Sequence, residues 1–340
     1  MRKFDIAVLG GGPGGYVAAI KGAQSGRSVC LIEGEKLGGI CLNWGCIPTK
    51  ALLKNAEILN YVNSSHKYGI NVGNVSFDFK LNIERSRNIA SRLSKGIEFL
   101  IKKNNIVHID GFGKLTSEKE ILVEKEENSE KIHAENIIIA TGARPKKIPG
   151  LILDGKRVIS SKNALELKIV PKKIVIIGSG AIGCEFAYYY NSFGSEVHII
   201  EIANRILPLE DFEVSKELEK SFIGKGIKVS TSTKVIKAEG LKSKVKILIE
   251  SNGTKTYIDS EIALVAIGAS FITFRKMFRA IGKGTQPINW RAVLSNYSKG
   301  LEVFISQRTL FKTRPFIGFI HALVAWGFTL YLLVNVLLMG

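Results

Sequence analysis

One arrangement occurs twice in this chain and leaves few folds open to it. A short apolar run ends in closely spaced glycines, a small-residue stretch of helical length follows, and a second apolar run is closed by an acid. The first copy is Phe4 to Leu9, GGGPGG, a helix through Ala23, then Ser28 to Ile32 and Glu33. The second is Lys173 to Ile177, GSGAIG, a helix through Phe193, then Glu196 to Ile200 and Glu201. Apolar runs of this length bounded by turn residues are buried strands, and strand, helix, strand in succession is a βαβ unit with parallel strands. Two such units 168 residues apart in a chain of 340 predict an α/β protein with two domains, each able to bury its own core.

The glycine spacing carries chemistry as well as shape. Gly10, Gly12 and Gly15 satisfy G-x-G-x-x-G directly after a strand. The first allows the tight turn, the second lets backbone approach a pyrophosphate, and the third lets the helix pack close to the sheet. Glu33, 18 residues past Gly15, is placed to accept hydrogen bonds from a ribose 2′-hydroxyl. Gly178, Gly180 and Gly183 with Glu201 repeat the pattern, so both domains are predicted to be Rossmann-like and dinucleotide-binding. An acid at Glu201 favours NAD over NADP, because a 2′-phosphate would meet like charge. Arg205 is the nearby cation that argues otherwise, and it reads as a solvated loop residue before Leu207-Pro208. The N-terminus has a signal peptide's charged start, but five glycines and a proline interrupt its apolar run, which suits a nucleotide-binding turn better.

Between the two units, Phe79 to Asn104 reads as a helix. IVHIDGFGKL, ILVEKEE and KIHAENIIIATGARP read as an inserted β layer and a returning strand. IKVSTSTKVIKAEG, KVKILIE and YIDSEIALVAIG close the second domain in the same way.

The segment GGICLNWGCIPTK, Gly38 to Lys50, holds Cys41 and Cys46 at a helix start. Bridged cysteines need Cβ atoms about 3.8 Å apart, which a five-residue spacing on a regular helix does not give, so the first turn is expected to be distorted. A thiolate there gains from the helix N-terminus and from a cation such as Lys50, which lowers its pKa and makes it a nucleophile. Zinc would need further Cys or His ligands at short spacing, and none is near, so no metal site is expected. Four cysteines without an export signal fit a reducing compartment, and Cys30 and Cys184 read as packing residues.

GGxCLNxGCIPxK, together with the GGGPGG start, ATGARP and a second GSGAIGCE, resembles the dihydrolipoamide dehydrogenase type of class I pyridine nucleotide-disulfide oxidoreductases. That family includes glutathione and mercuric reductases, and the resemblance covers residues 1 to about 269. It implies FAD and NAD as cofactors and a small-molecule or protein-bound disulfide such as lipoamide as substrate. It implies that Cys41 exchanges with substrate, that Cys46 contacts the flavin, and that Lys50 and Glu185 form an ion pair where nicotinamide docks. Glu185 in a nucleotide-facing helix turn would be costly to bury unpaired, so a partner such as Lys50 makes sense of it. Gly14, Gly39, Thr141 and Gly142 join the glycine turns, Glu33, Glu201 and Lys50 as the cofactor-binding set that the resemblance implies.

Past Ala269 the resemblance stops. Neither a Gly-Asp nor a His-Pro dipeptide occurs, and His66, His108, His133, His198 and His321 read as surface or structural residues. The family's dimerisation domain is therefore expected to be absent, with the homodimer interface missing, and the chain to be truncated or chimeric. The text beyond this joint is basic. Nine Lys or Arg and one acid, Glu302, between Phe271 and Pro315 supply +8 of the formal +18. No nucleic-acid motif accompanies that charge, so no nucleic-acid partner is expected.

Phe316 to Met339 gives 24 residues without a formal charge, where a bilayer core needs about 20. Arg308, Lys312 and Arg314 precede it and set its N-terminal side in the cytoplasm. His321, Trp326 and Asn335 within the span read as a packing face. This tail resembles the membrane anchor of heterodisulfide-reductase-like iron-sulfur oxidoreductases.

The expected organisation is an FAD-binding domain over 1–149, lacking its C-terminal return segment, and an NAD-binding domain over 150–269. A basic linker over 270–314 and a transmembrane helix over 315–340 complete the chain, with the cytoplasmic domains attached to the inner face of the plasma membrane. A wholly cytoplasmic protein is the alternative location. Two functional alternatives stand beside the disulfide oxidoreductase: a membrane-attached NADH-flavin electron-transfer subunit, and an inactive nucleotide-binding remnant.

Overall fold

The computed structural model describes residues 1–144 and 148–266, all within one compact unit. The linker and the transmembrane helix expected from the sequence lie outside the described residues. Among the described residues no helix is long and apolar enough to cross a membrane.

The first half runs β1 (Arg2–Leu9), α1 (Pro13–Gln24), β2 (Val29–Glu33), α2 (Gly39–Trp44), α3 (Cys46–Asn63) and α4 (Phe79–Lys103). It closes with β3 (Val107–Asp110), β4 (Phe112–Leu115), β5 (Glu120–Lys125) and β6 (Asn128–Ile139). The strands form one sheet in the order β3-β2-β1-β6-β5-β4. β3, β2, β1 and the second part of β6 are parallel, while β5 and β4 continue antiparallel. The parallel strands are apolar on both faces because both faces are covered. Ala7, Leu9, Cys30 and Ile32 point into a core closed by Ile121, Val123, Ile132 and Ala134. Val8, Val29 and Leu31 point the other way, onto Ala19 of α1 and Ile97 and Ile101 of α4.

The second half runs β7 (Val158–Ser160), α5 (Ser161–Ala164), β8 (Lys173–Ile177), α6 (Ala181–Ser192), β9 (Glu196–Ile200), α7 (Phe212–Gly224) and β10 (Lys228–Ser230). β11 (Thr233–Gly240), β12 (Val245–Ser251), β13 (Thr254–Ser260) and β14 (Ile262–Val265) complete it. Its parallel sheet is ordered β10-β9-β8-β14-β7, and β11-β12-β13 form a separate antiparallel sheet. That small sheet covers Val175 and Ile177 on one face, while Ile174 and Ile176 on the other meet α6.

The two halves share a core. Leu52 and Ala56 of α3, with Phe79 and Ile83 of α4, pack among Phe186, Tyr189, Tyr190 and Phe193 at α6. Phe79 lies 5.7 Å from Tyr189 and 5.3 Å from Phe193, ring centre to ring centre. The sequence did not announce β7, α5 or α7. A three-residue strand has no period to read, although Asp211 capping the α7 backbone at Glu213, 2.8 Å, is a local signal that was there.

Candidate functional site

The two glycine turns are built alike. Gly10 has φ +101° and Gly178 φ +100°, a left-handed conformation that glycine adopts without a Cβ penalty. At the third glycine a Cβ would lie 1.7 Å from the Gly10 carbonyl oxygen at Gly15, and 2.0 Å from that of Gly178 at Gly183. The acid closing each unit braces the turn. Glu33 accepts from the backbone N–H groups of Gly11 and Glu35 at 2.7 and 2.8 Å. Glu201, buried, accepts from the Ser179 N–H and hydroxyl at 2.7 and 2.8 Å and from the Ala203 N–H at 2.9 Å. Thr141 and Gly142 extend the strand-end loop against the first turn, where a Cβ on Gly10 would meet the Ala140 carbonyl oxygen at 2.2 Å. The nearest atom to a Cβ on Gly14 would be the Ala140 Cβ, at 4.0 Å.

The middle glycines differ from their neighbours. Gly12 has φ −72° and ψ −176°, and Gly180 φ −65° and ψ 179°, ordinary extended backbone. A Cβ at Gly12 would have nothing nearer than 3.8 Å, and one at Gly180 nothing within 4 Å. The protein's own packing has no need of glycine at either place. Each sits at a helix start whose first N–H groups have no intrahelical partner, an arrangement that suits close approach of an anionic ligand. Both turns therefore fit a dinucleotide pyrophosphate.

The cysteine segment begins on the first of these turns. The Gly38 N–H donates to the Gly11 carbonyl at 2.8 Å, and a Cβ on Gly39 would lie 2.6 Å from the Gly12 Cα. The predicted distortion takes the form of a break. α2 carries Cys41 and ends at Trp44, Gly45 turns the chain at φ −138° and ψ −119°, and α3 starts with Cys46. A Cβ on Gly45 would stand 3.1 Å from the Ile40 oxygen and 3.2 Å from the Cys41 Cα, so the chain folds back closely here. The fold-back brings the Cys46 thiol close enough to influence the ionisation of Cys41, and both cysteines are free thiols. Cys46 occupies the first position of α3, at the positive end of the helix, with Lys50 one turn further on.

The expected activation of a thiolate does not hold at Cys41. Burial, followed by the neighbouring Cys46 thiol, raises its pKa above the ordinary value of 9.0, and Lys50 opposes this only as a lesser influence. The sequence shows the dipole and the cation; it does not show the burial.

Lys50 Nζ is paired with Glu185 Oε1 of α6. The lysine is 63% exposed, and a pair so open to water contributes about 0–1 kcal/mol. Its consequence is positional, joining the cysteine helix to the helix of the second glycine turn. A cavity of about 340 Å³ opens beside that turn, lined among others by Gly178, Gly180, Glu201, Ile202 and Lys234. Arg205 is tied to its own loop, Nη2 donating to the Pro208 and Glu210 carbonyls at 3.0 and 3.3 Å. Lys234, 33 residues beyond Glu201 on β11, is the cation among the described residues that lines the cavity. Arg205, read from the sequence as a loop residue, does not line it. A larger hollow, about 560 Å³, lies around Arg157, Lys242 and Glu261, and neither glycine turn lines it.

Among the described residues, Cys30, Cys184, His133 and His198 stand apart from this site. Burial pushes the Cys30 and Cys184 thiols up to about 12, and both pack in cores. His198 is buried on β9 with Nε2 2.8 Å from Ser230 Oγ, and burial pushes its pKa down to about 4. His133, half-buried on β6, lies 3.3 Å from Glu135. His321 lies outside the described residues.

Two dinucleotide cradles with a thiol pair seated on the first of them define the class of two-domain, nucleotide-dependent disulfide oxidoreductases. The chain belongs to the pyridine nucleotide-disulphide oxidoreductase family, whose model matches residues 4–285. It is 44% identical over 271 residues to dihydrolipoyl dehydrogenase of Chlorobaculum tepidum, covering 79% of this chain and 58% of that protein. It is 49% identical over 231 residues to dihydrolipoyl dehydrogenase of Zymomonas mobilis, covering 68% of this chain and 50% of that protein. Among solved structures it is similar to the Cu(II) complex of the HOCl-induced flavoprotein disulfide reductase RclA from Escherichia coli. There the TM-score is 0.68 and the identity 29%, over 79% of this chain and 57% of that one. The chain thus spans little more than half the length of these relatives.

Proposed function

We propose that this chain is an FAD-dependent, NAD-linked disulfide/dithiol oxidoreductase of the dihydrolipoamide dehydrogenase type, acting on a small or protein-bound disulfide such as lipoamide. The observation that carries the reading is the seat of the thiol pair. Gly38 and Gly39 rest on Gly11 and Gly12, so the cysteines start from the turn that would hold the flavin nucleotide. In this reading residues 1–149 bind FAD through Gly10, Gly12, Gly14, Gly15, Glu33, Gly39, Thr141 and Gly142. Residues 150–269 bind NAD through Gly178, Gly180, Gly183 and Glu201.

Bound FAD would supply the ring that takes reducing equivalents from NADH and hands them to sulfur. The chain's own groups do the rest. Cys41 and Cys46 give up two electrons and two protons when they form a disulfide and recover them when it is reduced. Lys50 and Glu185 hold α3 and α6 in register, so that the two nucleotide sites address the same pair. Reconstituting the full chain with FAD should give a yellow protein that NADH bleaches, with thiol titration then finding Cys41 and Cys46 newly reduced. A colourless protein, or bleaching without new thiols, removes this reading.

A membrane-attached form, with the catalytic halves at the cytoplasmic face, is favoured by the uncharged stretch Phe316 to Met339 behind a basic segment. Its expected behaviour is sedimentation with membranes and release by detergent but not by salt. Recovery in the supernatant without detergent rejects it.

A further inference from the structure

We propose that Arg87 is a positioning residue for the cysteine pair, tying the break between the two cysteine helices to the second nucleotide-binding half. This rests on the reading of Cys41 and Cys46 as the redox couple.

The buried stripe of α4 continues from Phe79 through Ile83, Ser86, Ala90, Ser94, Ile97 and Ile101, at helical spacing. Its middle is small and partly polar where a simple core would be large and apolar. The two serines are spent on the cysteine segment: Ser86 Oγ donates to the Pro48 carbonyl at 2.9 Å and Ser94 Oγ to the Leu37 carbonyl at 2.8 Å. Arg85 Nη1 reaches the Ala51 carbonyl at 3.2 Å. One helix thus holds carbonyls at both ends of residues 37–51.

Arg87 takes the position between them. Its Nη2 donates to the Asn43 carbonyl at 2.8 Å. That oxygen belongs to the last turn of α2, whose carbonyls lose their intrahelical partners where Gly45 breaks the helix. The other arm of the guanidinium, Nη1, stands 3.8 Å from Glu166 Oε1, just past α5 in the second half. The next residue, Trp44, lies under Lys162 of α5, with Nζ 4.0 Å from the ring centre. Residues 43 and 44 are therefore gripped from α4 and from α5, and they are the middle two of the four residues between the cysteines. Arg87 Nε is buried without a hydrogen-bond partner, a cost that an apolar side chain filling the same space would avoid. A planar fork can serve Asn43 and Glu166 together, which a lysine ammonium cannot do in the same geometry.

Because a disulfide requires Cβ atoms about 3.8 Å apart, slack at Asn43 and Trp44 acts directly on the stability of the Cys41–Cys46 bond. The test equilibrates the full-length chain with mixtures of reduced and oxidised dithiothreitol. Two electrons and two protons pass from the protein dithiol to the reagent disulfide, and the protein disulfide is counted by alkylation and mass spectrometry. Arg87→Gln should lower the equilibrium constant for disulfide formation about tenfold, with Arg87→Lys between it and the unaltered chain. The pH profile of Cys41 alkylation should move down toward that of an ordinary thiol as the residue leaves its packed position.

Unchanged equilibrium and unchanged profile in Arg87→Gln overturn the proposal. Where Arg87→Gln does not fold, the double variant Glu166→Gln with Lys162→Met, both at the surface, is expected to shift the equilibrium about threefold by freeing the same two residues. No shift there overturns it equally. Failure of the unaltered chain to form the disulfide at any reagent ratio sinks the redox reading itself, and this proposal with it.

Discussion

Alanine at Gly12 should give a folded protein that no longer holds FAD. The backbone at Gly12, φ −72° and ψ −176°, is open to alanine, and the new Cβ would have its nearest neighbour at 3.8 Å. Stability should therefore stay within about 1 kcal/mol, since an unstrained Gly→Ala change restricts the unfolded chain while a helix cap loses a few tenths. A methyl group at that place stands where a pyrophosphate would approach the first N–H groups of α1. The ligand must then retreat, losing charge-assisted hydrogen bonds, and about 3 kcal/mol or more of binding goes with them, on the order of 100-fold or more in Kd. Alanine at Gly15 makes the contrast. Its Cβ would fall 1.7 Å from the Gly10 oxygen, a clash inside the protein, and should cost the fold with or without nucleotide. FAD titration by fluorescence, set beside thermal unfolding of both variants, separates the two effects. Wild-type FAD affinity in Gly12→Ala removes the case for a cradle at this turn. The same substitution at Gly180 should weaken NAD and leave FAD binding unchanged.

These positions were legible because the reasons for them are local. A buried parallel strand must be a continuous apolar run, and Phe4 to Leu9 and Lys173 to Ile177 are such runs; the helix that comes after each must pass close to its own strand, so Gly15 and Gly183 declare themselves. The cysteine pair was legible for a different reason: its spacing is wrong for a regular helix, and Gly45 supplies the break. The features that stayed hidden depend on residues distant in sequence. Ser86 and Ser94 look like weak points in an amphipathic helix until Pro48 and Leu37 are seen beside them. Lys234 reaches the cavity at the second glycine turn from a strand that no spacing rule connects with Glu201. The Cys41 thiol was misjudged because dipole and cation can be read from neighbours in the chain, whereas the burial that outweighs them arises from tertiary packing.

The cysteine variants should show the largest functional loss, and an informative asymmetry. Reduction of a substrate disulfide needs two thiols acting in turn: the first attacks one substrate sulfur and displaces the other as a thiolate, leaving a mixed disulfide, and the second attacks the protein sulfur to release the reduced substrate. In Cys46→Ser the first step can occur at Cys41 and the second cannot. Lipoamide should then remain attached to Cys41 after reaction with the prereduced, FAD-loaded variant, and mass spectrometry should find it there. Cys41→Ser should trap no such adduct if, as proposed, Cys46 is the thiol that faces the flavin and not the substrate. Turnover should fall by at least about 10³-fold in both, as expected for residues that act as a unit. The pH dependence of trapping carries the packing as well. With its pKa raised above 9.0 by burial and the neighbouring thiol, Cys41 holds less thiolate at any given pH than a free cysteine. In the serine variant burial remains while the Cys46 thiol is gone, so adduct formation should still climb with pH through the ordinary thiol range, without levelling below it. Undiminished turnover in either variant would mean that the two sulfurs, however close, are not the couple that meets the substrate.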